Sequence, residues 1–82
     1  MYELSKLRQE MDQLSLQIAA LLIKRRDLAL RILQFKTVLK LNGRDPQREM
    51  ELLELVSKDL PSEERQYILG IFKKILIQTR GP

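Results

Sequence analysis

An all-helical fold is predicted for this chain of 82 residues by three observations. Apolar residues recur at alternating spacings of three and four through the first half, the repeat of a helix with one buried seam. Two turn-forming breaks divide the remainder into two shorter helical segments. No stretch alternates with the period of two that marks a strand, and there is no internal repeat or low-complexity segment.

The first helix is expected from about Glu3 to about Lys40. Its seam reads Leu4, Leu7, Met11, Leu14, Ile18, Leu21, Arg25, Leu28, Ile32, Phe35 and Leu39. The interior contains no Gly or Pro and is rich in good helix formers. At 1.5 Å per residue it would be roughly 55 Å long. That length does not suit a compact monomer, so the helix should pack along the matching helix of a second copy or stand out as a coiled coil. Asn42-Gly43 closes it as a C-cap and turn. Asp45 then reads as an N-cap with Pro46 at the first helical position. The second helix should run to about Lys58, with an inward stripe of Glu49, Leu52, Leu53 and Val56. Leu60-Pro61-Ser62 breaks the chain again, with Ser62 as N-cap and Glu63 and Glu64 suited to a helix start. The third helix, from about Glu63 to about Arg80, carries the stripe Ile68, Ile71, Phe72, Ile75, Leu76 and Thr79. Gly70 interrupts it, a place for a neighbouring helix to approach closely, and Gly81-Pro82 ends it.

Composition narrows the function. One small domain spanning residues 1–82 is expected, with a core thin enough that oligomerisation is a natural source of stability. The chain has neither cysteine nor histidine. Disulfides, the usual zinc and haem ligand sets, and Cys- or His-based mechanisms are therefore excluded. The longest apolar run, Ile18 to Ile23, is too short to span a membrane, and the amino terminus lacks a secretory apolar region. A cytoplasmic protein without membrane partners is expected. The net charge of +4 comes from basic residues interleaved with acids. With few aromatics and no nucleic-acid motif, this reads as a solvated surface, and no nucleic-acid partner is expected.

Arg25 occupies a seam position where leucine is expected, and a guanidinium taken out of water needs an anionic or polar partner. One reading is a snorkelling side chain or half of a structural ion pair. The other is a ligand group, and it gains weight if further polar residues converge. Lys36 lies eleven residues on, three turns and about 20° further round the same helix. The two share a face about 16 Å apart. Arg8 is about 25 Å from Arg25 along the axis and cannot reach the same ligand within one chain. If two first helices pack antiparallel and cross near residues 20 to 22, Arg8 of one copy lands near Lys36 of the other. Otherwise Arg8 is a surface residue. Together these groups suit a small, multiply charged anion.

Leu7-Arg8, Leu21-Leu22, Lys24-Arg25-Arg26, Lys36 and Asp45-Pro46-Gln47-Arg48-Glu49 resemble the all-helical class of chorismate mutases. Ile71-Phe72-Lys73-Lys74-Ile75 followed by Thr79 is similar to that family's third helix. The resemblance covers nearly the whole chain, and the combination of Asp-Pro-x-Arg-Glu with the Arg8, Arg25 and Lys36 spacing is its most specific part. It implies an intertwined homodimer with sites built from both copies, no cofactor and no metal. It also implies the rearrangement of chorismate to prephenate in aromatic amino-acid biosynthesis, on the shikimate pathway. Arg25 and the second copy's Arg8 would bind the two substrate carboxylates, and Lys36 would donate to the ether oxygen. Glu49 would accept from the ring hydroxyl, helped by the backbone near Asp45 and oriented by Arg48. Thr79 stands where the family has a small hydroxyl residue that contacts a carboxylate.

Two departures accompany the resemblance. Ser15 stands where the family often has Asp. The family's Gln or Glu four residues beyond the hydroxyl residue would fall past Pro82, which leads to the expectation of weakened ether-oxygen stabilisation. Two alternatives follow: an isochorismate-pyruvate lyase, or a non-catalytic helical dimer that binds a metabolite or docks on a partner enzyme of the same pathway.

Overall fold

The computed structural model describes residues 2–39 and 45–79, and these form three α-helices without a strand among them. α1 spans Tyr2–Val38, α2 Pro46–Ser57 and α3 Ser62–Thr79. The expected turn at Asn42-Gly43 and the ends at Lys40, Arg80 and Gly81-Pro82 lie outside the described residues.

Packing divides the chain into two compact units, residues 1–32 and 33–82. The described part of the first is helix alone, and α1 has no fully buried residue. Its apolar seam residues stand well exposed, from 42 % at Leu4 to 69 % at Phe35. Among the described residues of the first unit, therefore, nothing buries the seam that the apolar spacing predicts. The α1 residues partly withdrawn from solvent are Arg25, Ala29, Leu33 and Lys36. They form a face rotated by roughly a quarter of a turn from the row of Leu28, Ile32 and Phe35, all of which are exposed.

The second unit holds the end of α1 and the α2–α3 hairpin. α2 packs on α3, and the expected stripe of Glu49, Leu52, Leu53 and Val56 is half-buried. In α3, Leu76 is buried, and Ile68, Leu69, Phe72, Ile75 and Thr79 are half-buried, whereas Ile71 is 41 % exposed. Leu69 thus takes the inward place expected of Ile71. A Cβ at Gly70 would meet nothing within 4 Å, so among the described residues no neighbour approaches Gly70 closely. The α3 start also differs by one residue from expectation. The Pro61 carbonyl accepts the first helical bond from the Arg65 N–H at 2.8 Å, which puts Pro61 at the cap and Ser62 inside the helix.

Candidate functional site

The amino-terminal turn of α2 is built by a side-chain cap. Asp45 has φ −129° and ψ 88°, outside the helical region, and Pro46 follows at the first turn. The Asp45 carboxylate accepts from the Arg48 N–H at 3.1 Å, and its carbonyl accepts from the Glu49 N–H at 3.0 Å. The side chain therefore satisfies one of the donors that a helix start leaves open, and the carbonyl begins the helical ladder. Arg48 points to the exposed side, where its guanidinium lies 3.6 Å from Glu51. Glu49, one step round the helix, is half-buried.

On α1, Arg25 and Lys36 are half-buried and Arg8 is exposed. Arg8 and Arg25 belong to the first unit; Lys36, Asp45, Arg48, Glu49 and Thr79 belong to the second. Arg25, Lys36, Glu49 and Thr79 each have a polar partner, as charged and hydroxyl groups partly withdrawn from water require. The Thr79 hydroxyl donates to the Ile75 carbonyl at 2.9 Å, the back-bond a threonine in a helix commonly makes. Asp45 is exposed and Thr79 half-buried.

Between α2 and α3 lies an open hollow of about 440 Å3. Glu49, Met50 and Leu53 line one wall and Lys73, Leu76 and Ile77 the other. Lys73 escapes sequence reading because Lys73-Lys74 looks like an ordinary solvated pair. Arg65 escapes it as well, although it donates from Nε to the Ser57 carbonyl at 3.2 Å. The sequence carries no signal for it, because Lys58 already stands at the carbonyl end of α2 as the expected basic residue.

Arginine and lysine cations can hold an anion by charge and directed hydrogen bonds, and a carboxylate can accept from a hydroxyl. No group of three or more metal-ligating side chains gathers among the described residues. No described helix is long and apolar enough to cross a membrane. A search of curated proteins and a search of solved structures each return no match. The family model for chorismate mutase type II matches residues 7–81, nearly the whole chain. The match takes in most of α1, all of α2 and α3 and every candidate residue from Arg8 to Thr79, and the chain therefore belongs to the chorismate mutase type II family.

Proposed function

We propose that this chain catalyses the rearrangement of chorismate to prephenate as a cytoplasmic homodimer serving aromatic amino-acid synthesis. The observation that carries the reading is the family match over residues 7–81, and the exposure pattern on α1 accords with it. Two cations, Arg25 and Lys36, are partly withdrawn from water, while Leu28, Ile32 and Phe35 beside them are exposed. Withdrawing cations ahead of apolar groups is unfavourable unless they serve an anionic ligand or polar partners.

The reaction is unimolecular: the ether C–O bond breaks as a C–C bond forms, and nothing enters or leaves. It needs no nucleophile, metal or cofactor. The enzyme must hold a dianion in its compact conformer, a task for Arg25 and the Arg8 of a second copy. It must also stabilise the negative charge growing on the ether oxygen, a task for the Lys36 ammonium. Glu49 accepts from the ring hydroxyl, with Asp45 and Arg48 completing the start of α2 and Thr79 contacting a carboxylate.

The exposed apolar row of α1, including Leu7, Met11, Leu14, Ile18 and Leu21, supports the dimer, because a face of this kind gains by being covered.

Steady-state assays with chorismate and with isochorismate test the reading. Prephenate should form from chorismate, and Lys36→Ala should lower kcat by about 10² to 10³. Pyruvate release from isochorismate without prephenate formation would make the protein a lyase, and inertness towards both would remove the catalytic reading.

A further inference from the structure

The corner between α2 and α3 is centred on Ser57, which at 2 % exposure is more buried than Leu76 at 8 %. Its hydroxyl donates back to the Leu53 carbonyl at 2.7 Å. Its own carbonyl accepts twice, from the Leu60 N–H at 3.1 Å and from Arg65 Nε at 3.2 Å. Arg65 is half-buried and sits in the first turn of α3. In addition to Lys58 at the C-cap, it brings a cation to the carbonyl end of α2, where the helix dipole favours positive charge. The hairpin is thus pinned at its corner. Towards the other end, the two helices leave the hollow into which Glu49 and Lys73 contribute.

A short helix pinned at one end works as a lever. Glu49 is eight residues from Ser57, about 12 Å by helical rise, so a tilt of about 5° at the corner moves it by about 1 Å. We propose that Arg65 is a positioning residue for Glu49, acting through the buried Ser57 carbonyl to set the angle of α2 against α3. The consequence for catalysis rests on Glu49 being the acceptor for the substrate's hydroxyl; the latch itself does not. A misplacement of about 1 Å costs up to about a hundredfold in rate. The remaining α2–α3 packing limits the movement, so a loss of roughly tenfold is expected.

Two measurements on the full chain test this. The sequence has no cysteine, so Gln47→Cys with Gln78→Cys takes two spin labels, one near the start of α2 and one near the end of α3. Diluting labelled with unlabelled chain isolates the distance within one copy. Arg65→Met should broaden that distance distribution, and Arg65→Lys, which retains a donor, should broaden it less. In kinetics well below the melting temperature, Arg65→Met should lower kcat roughly tenfold with little change in KM. It should have no further effect when Glu49 is already Gln. If Arg65→Met does not fold, Arg65→Lys carries both measurements with the same signs. An unchanged distance distribution would overturn the latch. Equal losses in both Glu49 backgrounds would reduce Arg65 to general structural support. A parent chain inert towards chorismate would remove the proposed function, and the distance measurement would still decide whether the latch exists.

Discussion

Ile18→Ala tests whether the α1 seam is an interface between copies. Ile18 is 56 % exposed within the chain. Full burial of such a side chain is worth about 1.5–3 kcal/mol, which leaves about 1 kcal/mol to be gained when a second copy covers the remainder. Each seam residue appears twice in a symmetric dimer, so truncation should weaken association by about 2 kcal/mol, or roughly thirtyfold in Kd. Leu16 is the control: it is 66 % exposed but lies off the seam. Sedimentation equilibrium over a range of concentrations should show the shift for Ile18→Ala and little change for Leu16→Ala. The melting temperature of the parent should rise with protein concentration, because association stabilises only the folded state. Equal weakening by the two substitutions, or a parent that sediments as a folded monomer of 9.7 kDa, would refute the seam as the interface.

Gly70→Ala should stabilise the protein by about 0.5–1 kcal/mol, since the added Cβ meets open space and alanine favours helix interiors. A fall in melting temperature would mean that a second copy approaches α3 at this point. Asp45→Ala should cost about 1 kcal/mol by removing the cap on α2, while Asp45→Asn, which can still cap, should cost less in the same thermal unfolding assay. Arg25→Ala should abolish turnover with little change in melting temperature; a loss of roughly 3 to 5 kcal/mol with activity retained would identify a structural ion pair instead. Mixing inactive Arg8→Ala and Arg25→Ala chains should restore activity, because both lesions can fall in one of the two shared sites. Absence of recovery with subunit exchange confirmed would separate Arg8 from Arg25.

By itself, the sequence determined the three helices. Three-four spacing, the Asp45-Pro46 start and the Leu60-Pro61-Ser62 break are local signals, and local hydrogen bonding and sterics largely decide where helices begin and end. The half-buried stripe of Glu49, Leu52, Leu53 and Val56 was legible for the same reason. Only the tertiary structure decided which face of α1 loses solvent. Periodicity reports that an apolar row exists, but not whether this chain or a second copy covers it. That is why Arg25, Ala29, Leu33 and Lys36 are half-buried while Leu28, Ile32 and Phe35 remain exposed. The exchange of Ile71 for Leu69 and the open space at Gly70 likewise follow from the angle at which α3 meets its neighbour. The bond from Arg65 to the Ser57 carbonyl crosses a chain reversal. Its formation depends on how α2 and α3 pack after both have formed, and no repeat within either helix records that.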